Sequence, residues 1–121
     1  MLYICNSFSL GMLPEWRLSP DADASSIRIE PVSAEQARAY IAQSEDDGHR
    51  VFSVVELEEL ARMFSADLAR HVQVNKIDLS LCAGDRYLFG QYKGPNFIEG
   101  TFALPPGARI AWLVVSLEEA Q

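Results

Sequence analysis

Apolar positions along the chain change period several times, and each change marks an element. Leu2 to Cys5 is a short apolar run that gives way to the polar turn Asn6-Ser7-Phe8-Ser9. No basic flank precedes it, so it reads as a first strand rather than a signal peptide. Pro14 to Ser26 is rich in Pro, Asp and Ser and reads as a loop. Ile27 to Glu30 alternates apolar with charged residues, the period of a second strand. Ser33 then opens a helix. Gln36 lies three residues on, as a capping box requires, and Ala37, Tyr40 and Ile41 form the apolar stripe.

Ser44 to Arg50 is the most polar loop. Beyond it Ser53-Val-Val-Glu56 reads as a second capping box, with Phe52 and Leu57 as its hydrophobic staple. Leu57, Leu60, Ala61, Phe64 and Leu68 recur at helical spacing and predict the second helix, with His71 as a cation suited to the dipole at its end. From Val72 the period returns to two: Ile77, Leu79 and Leu81 alternate with Asp78, Ser80 and Cys82. Ala83-Gly84-Asp85 turns the chain, and Arg86 to Tyr92 is expected back as a hairpin partner. Lys93 to Gly100 and Leu104-Pro-Pro-Gly107 read as loop and turn. Arg109 to Ser116 is nearly all apolar, hence a central strand buried on both faces. The expectation is one α/β domain, a mixed β-sheet of about five strands with two main helices.

Composition narrows the class. A chain of 121 residues forms one core, and 49% apolar with 22% charged residues is the balance of a folded protein. No run approaches the roughly 20 apolar residues of a membrane span, so a cytoplasmic protein without a membrane partner is expected. Cys5 and Cys82 are expected as two buried free thiols. The net charge of −7 disfavours duplex or long single-stranded nucleic acid, whose binding draws on a basic field. A small anion held by a few local donors remains compatible with it.

Phosphate-loop, dinucleotide, zinc-cysteine and nucleophile-elbow patterns are all absent. Two histidines, His49 and His71, are too few for a histidine-rich metal centre. What remains is a set of polar residues where strands end, the usual location of binding groups. Asn6 and Ser9 follow the first strand, and Asn75 and Lys76 open the third. Gln91 and Lys93 close the fourth, and Asn96 and Glu99 occupy the loop beyond. Each taken alone reads equally as a turn residue or a solvated charge.

Their order resembles a family. Ile4-Cys-Asn-Ser-Phe-Ser-Leu-Gly-Met-Leu13, Val72-Gln-Val-Asn-Lys-Ile-Asp-Leu-Ser-Leu-Cys-Ala-Gly-Asp85, and Gln91-Tyr-Lys-Gly-Pro-Asn-Phe-Ile-Glu-Gly100 with Leu104-Pro-Pro-Gly-Ala-Arg-Ile110 are similar, in order and spacing, to segments of the viral anti-CRISPR ring nucleases. With the helices between them, the three segments cover nearly the whole chain. The resemblance implies an α/β homodimer that encloses cyclic tetra-adenylate across its two-fold interface and opens the ring with no cofactor and no metal. It further implies that Asn6, Ser9 and Gln91 contact the ligand and that Glu99 belongs to a catalytic loop. Lys76 would stand where the family has a phosphate-binding arginine, keeping the charge without the bidentate fork.

Two positions depart from the pattern. Asn96 stands where the family's catalytic loop has an arginine, and an asparagine does not offset charge that develops in a transition state. The family's Gly-His pair, counted back from Val72 without gaps, falls on Glu56-Leu57. Matching it to Gly48-His49 instead keeps the dipeptide but needs about eight extra residues before Val72. His49, from the polar loop, is the first expectation for a relocated general acid. Lys76 and Asn96 are then expected to stabilise charge, and Glu99 to orient its neighbours. Three readings follow: a ring nuclease with a rearranged site, a non-catalytic sponge for cyclic oligoadenylates, and an interaction protein on the same fold.

Overall fold

In the computed structural model, which describes residues 1–6, 12 and 27–117, β1 (Leu2–Asn6) has parallel neighbours on both sides. One is β3 (Val51–Val54), the other β4 (Arg86–Lys93). β5 (Arg109–Leu117) continues the sheet antiparallel to β4, and β2 (Ile27–Val32) closes it antiparallel to β5. The strand order is β2-β5-β4-β1-β3. Helices α1 (Ala34–Asp46) and α2 (Glu58–Leu68) precede and follow β3. The expected five-stranded mixed sheet with two helices is therefore the observed fold.

The sheet buries both faces. Leu2, Ile4, Leu88, Ile110 and Trp112 meet Ala37 and Ile41 of α1 and Met63, Phe64 and Leu68 of α2. Cys5, Tyr87, Phe89, Val115 and Leu117 form the opposite core with Val54 and Leu81. Alternate residues of β5 feed the two clusters, as expected of an interior strand, and each fully buried Leu or Val side chain contributes about 1.5–3 kcal/mol of transfer free energy.

α1 starts as its sequence predicts. Ser33 Oγ accepts from Gln36 N–H at 3.0 Å, and Gln36 Oε1 accepts from Ser33 N–H at 2.8 Å. α2 does not. Val51-Phe-Ser-Val54 joins the sheet against β1, so sheet pairing takes the residues that resemble a capping box. The helix begins at Glu58 with Leu57 as N-cap and no side-chain cap bond. Leu57 is no staple or core residue; it is 46% exposed.

The segment from Ile77 to Leu81 also differs from expectation. It forms no strand and no hairpin with β4, because β4 already has partners on both sides. Leu81 is fully buried beneath the sheet, its N–H donating to Met12 O at 2.7 Å. Both cysteines are free thiols, Cys5 buried and Cys82 exposed. Burial pushes the Cys5 thiol well above the usual thiol range. Among the described residues no helix is long and apolar enough to cross a membrane.

Candidate functional site

The parallel pairing of β1 with its two neighbours ends at Asn6, Val54 and Gly90, and β4 runs on to Lys93. The carboxyl end of parallel strands is where open α/β sheets place their ligands. Asn6 is the shared element there. It lines a hollow of about 440 Å³ with Cys5, Glu56 and the chain from Ile77 to Ser80. On its other side lies a hollow of about 280 Å³ formed with Leu60, Gly90, Gln91, Tyr92 and Lys93. The Asn6 amide is fixed: Oδ1 accepts from Glu56 N–H at 3.3 Å, so the side-chain NH₂ is left as the donor.

A larger cleft, about 980 Å³, runs along α2. Lys76 and Glu99 line it together with Glu56, Glu59, Arg62 and His71. It adjoins one of the strand-end hollows through Glu56, which lines both the cleft and the hollow beneath Asn6. Arg62 is engaged by Glu58 at 3.1 Å and lies 4.4 Å over the Phe102 ring.

Charge divides the work between these spaces. The uncapped start of α2 carries only about half a positive charge, whereas Glu58 and Glu59 each place a full negative charge in its first turn. The helix terminus is consequently a poor anion site. Among the described residues, Lys93, beside Gln91 and opposite Arg109 of β5, and Lys76, in the cleft, are cations near the strand ends that form no ion pair. The hollow of Asn6, Gln91 and Lys93 offers amide and ammonium donors suited to a phosphate. The cleft, rich in carboxylates, suits proton transfer.

The remaining expected residues fall as follows. Asn75 is held by its backbone, its N–H donating to Val55 O at 2.9 Å while the residue stays exposed. Asn96 is exposed in the loop after β4. Ser9 lies outside the described residues.

His49 is not brought to this site. Its Nδ1 lies 2.9 Å from the Met1 amine, next to Leu2, which pairs with Val51 and Arg86 where the parallel strands begin. Asn6 is at the other end of β1, about 16 Å away at roughly 3.3 Å per residue. The polar loop had no apolar anchor in sequence from which its end of the sheet could be read. His71 is the histidine that the site includes. α2 ends at Leu68 and Ala69 turns the chain at φ 53°, so His71 lies beyond the helix, on the cleft wall, rather than on its last turn.

These features define a small α/β domain with a polar site at the carboxyl ends of its parallel strands. The chain belongs to the STIV B116-like family, whose model matches residues 2–102. No curated protein matches it. Among solved structures, B116 of Sulfolobus turreted icosahedral virus (STIV) is similar, with a TM-score of 0.71 and 18% identity. The alignment covers 95% of this chain and 97% of that one. At that identity the likeness is one of fold.

Proposed function

We propose that two copies of this chain enclose a cyclic oligoadenylate and open it slowly. The nucleophile would be a ribose 2′-hydroxyl attacking its neighbouring phosphorus, which gives a 2′,3′-cyclic phosphate. The observation that carries the reading is the convergence of Asn6, Gln91 and Lys93 around one hollow, linked by Asn6 and Glu56 to the cleft that Lys76 and Glu99 line. The resemblance of these same segments to ring nucleases supplies the ligand class.

In-line attack requires orientation, stabilisation of added negative charge, and a proton for the departing 5′-oxygen. Orientation by the strand-end amides is worth several kcal/mol of the barrier. Lys76 and Lys93 are the cations for the phosphates, and Glu99 is the carboxylate beside the reacting ribose. With Asn96 in place of an arginine, one charged donor to the transition state is lost, which such sites feel as about 10²–10³-fold in rate.

A second reading is a non-catalytic sponge in a virus–host setting. It is favoured by Leu57 and Asn96, which, on the gapless match to the ring nucleases the chain resembles, take the places of a histidine and an arginine.

Incubation with purified cyclic tri-, tetra- and hexa-adenylate, followed by chromatography and titration calorimetry, tests both. Linear products are expected; tight binding without products supports the sponge, and no binding to any ring refutes the proposal. Lys76→Ala is expected to weaken binding by about 10–100-fold, the worth of one charge-assisted hydrogen bond. Sedimentation is expected to show a dimer when the ring is bound; a 1:1 complex of one chain and one ring would refute the shared site.

A further inference from the structure

We infer that His71 is the proton donor for ring opening. This rests on the reading of the site as one that cleaves, and it gives that reaction an acid that neither Leu57 nor His49 supplies. Leucine carries no proton, and His49 is at the opposite end of the sheet. Among the described residues, His71 is the one side chain in the cleft of the type that exchanges a proton near neutral pH.

The chain around His71 is clamped while its side chain stays exposed. The Ser65 hydroxyl donates to Ala61 O at 2.7 Å and accepts from Val72 N–H at 2.8 Å. Arg70 N–H donates to Ser65 O at 3.1 Å, and the Arg70 guanidinium reaches Glu45 at 2.9 Å. Val72 is buried, and Gln73 N–H donates to Ser53 Oγ at 3.3 Å. His71 is thus tied to α2 through residues 70 and 72, and its segment is tied to β3 just beyond. The same wall continues to Lys76, and Glu99 lines the same cleft. A catalytic group held by rigid neighbours, on the wall that also carries Lys76, needs little reorganisation to act.

The step balances within the cleft. The 2′-oxygen forms its bond to phosphorus as its proton passes to the Glu99 carboxylate. The bond from phosphorus to the 5′-oxygen breaks, and the His71 imidazolium gives its proton to that oxygen. Solvent then returns both groups to their starting protonation.

Single-turnover cleavage of cyclic tetra-adenylate by His71→Ala and His71→Gln tests the assignment, with affinity measured in parallel by calorimetry. Both variants should bind the ring as the parent does and cleave it 10²–10⁴-fold more slowly, the usual contribution of a positioned acid. A ring with sulfur in place of the scissile 5′-oxygen leaves as a thiolate without protonation, and both variants should cleave it at the parent rate. Equal loss on the two rings would make His71 structural, and parental rates on both would remove it from the mechanism. A parent protein that binds but never cleaves overturns this inference and leaves the binding proposal standing. A parent that does not bind removes both.

Discussion

Gly90 sits in β4 between Asn6 of β1 and Trp112 of β5, beneath two aromatic rings. A Cβ at this position would lie 2.7 Å from Phe64 Cζ, 2.7 Å from Trp112 Cζ3 and 3.0 Å from Phe64 Cε1. Carbon atoms pack at about 3.5–4.0 Å, so both rings must retreat by roughly 1 Å. Neither has slack. Their centroids are 4.9 Å apart, edge to face, both side chains are buried, and the Trp112 indole N–H donates to Asp67 at 2.5 Å. Gly90 has no left-handed backbone to protect, so an alanine would otherwise stabilise by about 0.4–1 kcal/mol through the unfolded chain. Overpacking costs about 1–3 kcal/mol, and it wins: Gly90→Ala should lose about 1–2 kcal/mol net. For a domain of this size that is a fall in Tm of roughly 4–8 °C. Chemical denaturation followed by tryptophan fluorescence reads it directly. Adding Phe64→Leu should make the double variant more stable than the sum of the two losses, since the two positions share one space. Gly90→Ala at parental or greater stability would show that the rings have room, and the packing argument would fail.

Three other outcomes follow from the same geometry. His49→Ala should leave ring binding and cleavage unchanged, because the residue lies at the start of the parallel strands; a loss of rate would put it back in the site. Burial, with Asp85 nearby and partly offset by the Cys82 N–H donated to its oxygen, pushes the Tyr87 phenol up to about 12. A phenol whose folded value exceeds its unfolded value of about 10 stabilises fully below the lower value, and that contribution fades as pH rises through the higher. Stability should therefore fall between about pH 10 and 12 with a slope approaching 1.4 kcal/mol per pH unit from this group, and Tyr87→Phe should flatten the decline in alkaline denaturation curves. Asp67→Ala leaves the buried Trp112 indole N–H without its acceptor and should cost about 1–3 kcal/mol in the same unfolding assay; an unchanged midpoint would show that the bond contributes nothing.

The sequence was most readable where one local signal had no competitor. Ser33 and Gln36 mark the start of α1 because nothing else claims them, and the long apolar run of β5 fits an interior strand. Ser53 to Glu56 carries an equally good capping pattern, yet three of these four residues lie in β3 or its continuing bridge at Val55. Which signal prevails there depends on β1, about 50 residues away in sequence, and no local rule contains that partner. Ile77, Leu79 and Leu81 alternate like a strand but form none, since β1 and β5 already flank β4; Leu79 and Leu81 pack on the second core while Ile77 is exposed. For the site, Asn6, Gln91, Lys93, Lys76 and Glu99 were recognisable as strand-end and loop polar residues. His71 was not, because its place depends on a left-handed turn at Ala69, a residue with no particular preference for one.

The two margins of the sheet are poor templates for another chain. On one side β3 is only four residues long, and its continuation is capped by the bridge between Val55 and Val74. On the other, β2 carries Pro31, which lacks a donor, preceded by exposed Arg28 and Glu30. Short, charged or proline-bearing borders are how natural sheets resist fibril growth and runaway strand exchange. Despite an apolar content near one half, this chain should stay dispersed at high concentration, and a second copy would meet its side chains rather than an open row of backbone amides.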